Sequence, residues 1–169
     1  PQQTVVGGGL EAMTALLPFL ADRGVKGIRL DVAGALHTPL MAEARTTLGR
    51  VLETEPLQPP TTLLLTSADN RYSSEPGEIR ESLSAQLTEP VRYQRMVERL
   101  VRDGIGVVIE AGPRSVLTGL HRRILDGEAC TLLSSAEVSR GFASPLSRIR
   151  AEMNALGLLA PASPVPAVE

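Results

Sequence analysis

Apolar and polar positions along this chain follow two periods in turn, and the changes of period mark the expected elements. Thr4, Val5 and Val6 run into Gly7, Gly8 and Gly9, a short strand ending in a glycine turn. Over 10–21 the residues Leu10, Met13, Leu16, Leu17 and Leu20 keep helical spacing, and Gly24 stands where a helix stop is expected. The stretch 25–33 reads as a strand, Ile28, Leu30 and Val32 alternating with Arg29 and Asp31. Thr38 and Pro39 predict a helix start, because threonine can cap free N–H groups and proline at the first helical position has none to satisfy. Leu40, Ala44, Leu48 and Val51 give that helix one apolar face, and Pro56, Pro59 and Pro60 end it. Leu63, Leu64 and Leu65 predict a short strand buried on both faces, followed by a polar loop over 69–77. Two helices, over 78–87 and 91–102, are divided at Pro90, since the residue before proline resists helical geometry. A strand over 105–109, a turn at Ala111-Gly112-Pro113, a helix over 116–125, a strand over 130–133 and a last helix over 145–156 complete the pattern. Strands alternating with helices predict a parallel α/β sheet.

Composition narrows the class. The chain has 169 residues, 43% of them hydrophobic, and a formal charge of −2, which suffices for one domain with its own core. Nucleic acid is not the expected partner, because 17 Lys and Arg stand against 19 Asp and Glu, and only two Tyr and two Phe are available for stacking. Cys130 is the single cysteine, so an internal disulfide framework is excluded. No apolar run approaches the roughly 20 residues a membrane-spanning helix needs, and no secretory leader pattern opens the chain. The expectation is a cytoplasmic protein that contacts no membrane. The first residue is Pro1, and the chain reads as a piece of a longer protein. Its tail, 160–169, has the proline and alanine content of an extended linker.

Three segments, in order and at compatible spacing, carry a resemblance. The first is Gly34-Ala35-Leu36-His37-Thr38-Pro39-Leu40-Met41. The second runs from Ile79-Arg80 to Gln86-Leu87-Thr88-Glu89-Pro90-Val91-Arg92-Tyr93. The third is Ile109-Glu110-Ala111-Gly112-Pro113 with Val116-Leu117-Thr118-Gly119-Leu120. Together they resemble the C-terminal portion of the malonyl-CoA:acyl-carrier-protein transacylase family, which includes the acyltransferase domains of fatty-acid and polyketide synthases.

The resemblance implies an α/β fold. Residues 1–34 would be the second half of a ferredoxin-like small subdomain, 35–135 the C-terminal part of an α/β-hydrolase-like parallel-sheet acyltransferase core, and 136–159 a C-terminal helical segment. It implies transfer of malonyl, or a related acyl group, from coenzyme A to the phosphopantetheine thiol of an acyl carrier protein, through an acyl-serine intermediate and with no bound cofactor. His37 matches the family's general base, and Gln86 the residue whose main-chain carbonyl fixes that histidine's tautomer. By position alone, His37 reads as a packing or capping histidine and Gln86 as a surface glutamine, and it is the motif match that reverses this. The family's nucleophilic serine elbow and its malonyl-binding arginine have no counterpart here, so the chain alone is expected to be inactive and to need the missing N-terminal part. The alternative is a non-catalytic docking or structural module of a multidomain synthase.

Gly34 and Leu36 match positions that contact the acyl group. Gly34-Ala35-Leu36-His37 matches neither the His-Ala-Phe-His that accompanies malonyl nor the Tyr-Ala-Ser-His that accompanies methylmalonyl. Leu36 at the bulky Phe position implies malonyl. Arg92, Arg95, Arg99 and Arg102 recur at steps of three and four, which places them on one helix face. Acyl carrier proteins are acidic, so that stripe is a candidate docking surface as well as an ordinary solvated face. His121, beside Arg122 and Arg123, reads as surface. Ser67, Ser115 and Ser134 lack a nucleophile-elbow context, Gly7-Gly8-Gly9 is neither a dinucleotide fingerprint nor a P-loop, and no cluster has metal spacing.

Overall fold

The computed structural model describes residues 3–127, 130–137 and 141–159. They form two compact units, divided between Met96 and Val97.

In the first unit, helix α1 (Leu10–Ala21) runs through Pro18 and stops where Gly24 takes the left-handed conformation, φ 69°. Gly24 N–H donates to the Ala21 carbonyl and Val25 N–H to the Leu20 carbonyl, the paired bonds that close a helix on a glycine. The chain then turns back along the helix. A Cβ added at Gly27 would stand 2.8 Å from Leu17 Cδ2, so the returning chain lies against α1 and a larger residue would push the tip of that leucine aside. The strands expected over 4–6 and 25–33 do not form. Ile28, Leu30 and Val32 alternate as expected but are 71%, 52% and 62% exposed. A strand is a paired element, and among the described residues no ladder partner reaches either stretch.

Thr38 starts a 3-10 turn over Pro39–Met41 that leads into α2 (Ala42–Thr54). Its hydroxyl donates back to the Ala35 carbonyl at 2.6 Å and so does not cap the helix. The leucine run yields only β1 (Leu64–Leu65), paired antiparallel with β2 (Tyr72–Ser73), and Leu63 is 64% exposed. The expected doubly buried parallel strand is therefore an exposed hairpin arm, and part of the expected loop is its partner. Asn70 closes that hairpin in the left-handed region, which asparagine tolerates. Helix α3 (Pro76–Ala85) packs on α2 and buries Ile79.

Helix α4 (Tyr93–Arg102) carries Val97, which is fully buried in the second unit. Gly104, φ 83°, ends α4 with the same glycine closure as α1. There β3 (Val107–Glu110), α5 (Val116–Leu125) and β4 (Thr131–Ser134) make a β-α-β unit, with Val107 opposite Thr131 and Glu110 opposite Ser134 in a parallel pair. Helix α5 covers both strands and α6 (Pro145–Ala155) lies on β4. The interior of this unit is Val97, Leu125, Leu133 and Ile149. The expected tail over 160–169 lies outside the described residues.

Candidate functional site

His37 sits between the extended chain and the 3-10 turn, and its backbone is left-handed, φ 61°. Such a conformation is uncommon for a residue with a side chain, and it persists only where the surroundings hold it. Two consecutive carbonyls do so. His37 N–H donates to the Leu87 carbonyl at 2.9 Å, and ring Nδ1 lies 2.7 Å from the Gln86 carbonyl. Both carbonyls follow the last turn of α3, where a helix leaves C=O groups without intrahelical partners. A carbonyl can only accept, so Nδ1 carries the proton and Nε2 of the neutral ring is left as a base. The ring is exposed.

Gln86 takes part through its main chain. Its side chain turns back, Nε2 donating to the Leu83 carbonyl at 3.0 Å. Leu36 is 48% exposed beside His37. Gly34 is half-buried, and a Cβ there would meet Met41 Sδ at an ordinary 3.7 Å, so no close approach requires glycine at that position. Gly7, part of no cofactor motif, matters sterically. A Cβ at Gly7 would lie 2.8 Å from Thr38 Cγ2, so the chain at Gly7 rests directly on the histidine segment, although the expected turn over 7–9 does not form.

Two arginines hold the helices behind this pair, Arg80 from the second motif segment and Arg45 from outside all three, and sequence reasoning foresaw neither contact. Arg80, on α3, donates from Nε to the Leu52 carbonyl at 2.5 Å and from Nη2 to the Glu55 carbonyl at 3.1 Å, closing the C-terminal end of α2. Arg45, on α2, donates from Nη1 to Thr88 Oγ1 at 3.0 Å, beside the Gln86 turn. No local pattern signals either one, because their partners lie 28 and 43 residues away.

Of the arginine stripe, Arg92 and Arg95 are exposed, and Arg92 precedes the first turn of α4. Arg99 pairs with Asp103 at 2.6 Å. Arg102 edges a groove of about 300 Å³ in the second unit, lined also by Glu98, Val101, Ile124 and Leu125.

The third motif segment does structural work. Burial alone would raise the Glu110 carboxyl, but bonds from the Thr118 and Leu117 amides and the Thr118 hydroxyl outweigh it and hold the group below its ordinary range. Those amides are orphans of the first turn of α5, so Glu110 closes that helix start. His121 is not at the surface. It is 5% exposed, on the same face of α5 as buried Thr118 and Leu125, with Nδ1 3.2 Å from the Leu117 carbonyl. Burial first of all holds its pKa below the ordinary 6.5, against the opposing Leu117 carbonyl and Glu110 charge. The spacing 118, 121, 125 was the available signal, masked by the neighbouring Arg122 and Arg123. Among the described residues no group of His, Cys, Asp and Glu could hold a metal ion, and no helix is long and apolar enough to cross a membrane.

Fold and site together define a mixed α/β protein with a small parallel sheet and a histidine clamped to the end of a helix. The same mixed α/β fold recurs in solved transacylases. A malonyl-transacylase in complex with a type II polyketide synthase acyl-carrier protein superposes with a TM-score of 0.74 at 28% identity, over 85% of this chain and 45% of that one. The malonyl-CoA:acyl carrier protein transacylase of Xanthomonas oryzae gives 0.73 at 30% identity, over 85% and 43%. In sequence, the malonyl CoA-acyl carrier protein transacylase of Haemophilus influenzae is 35% identical over 126 residues, 74% of this chain and 40% of that protein. No family model matches the chain. The chain belongs to the malonyl-CoA:acyl-carrier-protein transacylase family, matching its C-terminal portion. It spans less than half the length of these relatives.

Proposed function

We propose that this chain is the base-bearing part of an acyltransferase that moves malonyl from coenzyme A to the phosphopantetheine thiol of an acyl carrier protein, the nucleophilic serine coming from a segment outside the chain. The observation that carries the reading is the 2.7 Å contact between His37 Nδ1 and the Gln86 carbonyl. With Nδ1–H held there, Nε2 takes the serine proton as the serine oxygen attacks the thioester carbonyl. The tetrahedral adduct collapses, the C–S bond breaks, and the imidazolium protonates the departing coenzyme A thiolate. In the second half-reaction His37 takes the proton of the phosphopantetheine thiol, whose sulfur attacks the acyl-serine, and returns a proton to the serine oxygen.

In this reading residues 35–135 complete an α/β-hydrolase-like core, with 136–159 as its C-terminal helical segment and 160–169 as a linker. Residues 1–34 are the second half of a ferredoxin-like subdomain, a division favoured by α1 with an extended segment packed back on it at Gly27. Gly34 and Leu36 border the acyl group, and Leu36 favours malonyl over methylmalonyl. An acidic carrier protein docks on Arg92, Arg95, Arg99 and Arg102, a partner suggested by the solved transacylase bound to its carrier protein. The reaction belongs to the cytoplasm and needs no bound cofactor.

The test follows acyl-serine formation from malonyl-CoA by mass spectrometry in the complete protein. His37→Ala should lose about 10³-fold or more in acylation rate, as when a triad member is removed. Gln86→Ala keeps its carbonyl and should lose only about tenfold or less. Near-normal acylation by His37→Ala removes His37 from the mechanism.

A further inference from the structure

The segment 37–45 grips three successive residues at the end of α3. His37 Nδ1 meets the Gln86 carbonyl, His37 N–H meets the Leu87 carbonyl, and Arg45 Nη1 donates to Thr88 Oγ1. Thr88 Oγ1 in turn donates to the Ala85 carbonyl at 3.2 Å, and the Thr88 and Glu89 amides donate to that same carbonyl at 3.0 Å each. The turn carrying the Gln86 carbonyl is therefore held from within by Ala85 and from across the helix pair by Arg45. Arg45 and Thr88 are both half-buried, so water is a poor substitute for the bond between them.

We propose that Arg45 is a positioning residue for His37. It touches no reacting atom. It anchors the first turns of α2 to the 85–88 turn, so that the carbonyl defining the histidine tautomer stays within hydrogen-bond reach of the ring. The inference rests on the reading of His37 as the base, because only then does the tautomer matter to function. The geometry explains why a left-handed histidine persists: backbone, ring and guanidinium each hold one residue of the same turn, and moving any one of them strains the other two.

The experiment reads the ring directly in the complete protein. Nitrogen-15 histidine labelling gives the ring patterns, and the one lost in His37→Gln is that of His37. Long-range proton–nitrogen spectra show which ring nitrogen bears the proton. Wild type should show Nδ1–H. Arg45→Met and, separately, Thr88→Val should move the tautomer ratio about threefold or more toward Nε2–H, the effect of weakening the support of one hydrogen bond. Arg45→Lys should restore part of it. Leu48→Ala, a half-buried position on the same helix, supplies a control of comparable lost stability.

An unchanged ratio in both Arg45→Met and Thr88→Val overturns the proposal. So does an equal shift in Leu48→Ala, which would make Arg45 merely structural, and so does a wild-type ring without Nδ1–H. None of these readouts uses substrate. Acylation that survives His37→Ala would instead overturn the functional reading and leave the tautomer measurement standing.

Discussion

Arg80→Met is the sharpest test of how the histidine platform is held together. Helix α2 ends at Glu55 in extended conformation, with no glycine closure and no basic residue in its last turn. Its terminal carbonyls need donors from elsewhere. Arg80 supplies two, at 2.5 Å to Leu52 and 3.1 Å to Glu55. Methionine keeps the apolar stem and removes both. A charged donor to the half-buried Leu52 carbonyl contributes about 1.5–3 kcal/mol, whereas water can replace the bond to exposed Glu55, which is left at about 0.5 kcal/mol. A net loss of about 2 kcal/mol is expected, or about 4–8 °C in melting midpoint for a chain of this size. Urea unfolding followed by far-ultraviolet circular dichroism measures it, with Arg80→Lys falling between, since lysine reaches at most one of the two carbonyls. A loss below about 0.5 kcal/mol at unchanged m-value would refute the capping argument, because it would mean that water satisfies both carbonyls equally well.

Three further outcomes follow from other parts of the chain. His121 has its folded pKa depressed below 6.5, so the unfolded chain binds more protons just below that value and stability must fall as pH drops through it. Urea midpoints between about pH 7.5 and 5 should therefore decline in wild type and decline less in His121→Gln, and parallel curves would contradict the burial argument. Glu110 is depressed as well, so its contribution is present above 4.5 and lost as pH falls through the lower folded value. Glu110→Gln should flatten that acid limb, read as the acid-unfolding midpoint. Ser144 and Ser147 form a reciprocal cap at the start of α6, and Ser144→Ala should cost about 1 kcal/mol in the same urea assay, more than Ser147→Ala.

Helices α1 and α5 begin and end where the periodicity places them, and Gly24 closes α1 as expected, because spacing, proline and glycine act within a few residues of where they stand. The errors share a cause. Residues 25–33 have strand-like alternation, and Leu63, Leu64 and Leu65 read as a buried strand. Whether such a stretch becomes a strand, and which way it pairs, depends on a neighbour the local pattern does not contain. His121 was misread because two adjacent arginines outweighed the helical spacing that turns it inward.

The sequence by itself determined the family, through three motif segments, and named both His37 and Gln86. It had no means of showing Arg45 at Thr88 or Arg80 at the end of α2, since nothing in the motif segments marks either arginine as a clamp. Those contacts join residues 43 and 28 positions apart, brought together only when α2 packs against α3. The left-handed backbone of His37 was equally invisible, because that conformation is unfavourable for the residue alone and is stabilised by the carbonyls of Gln86 and Leu87, 49 and 50 residues along the chain. Local motifs thus singled out His37, and long-range packing of α2 against α3 decided which carbonyls its backbone and its ring Nδ1 meet.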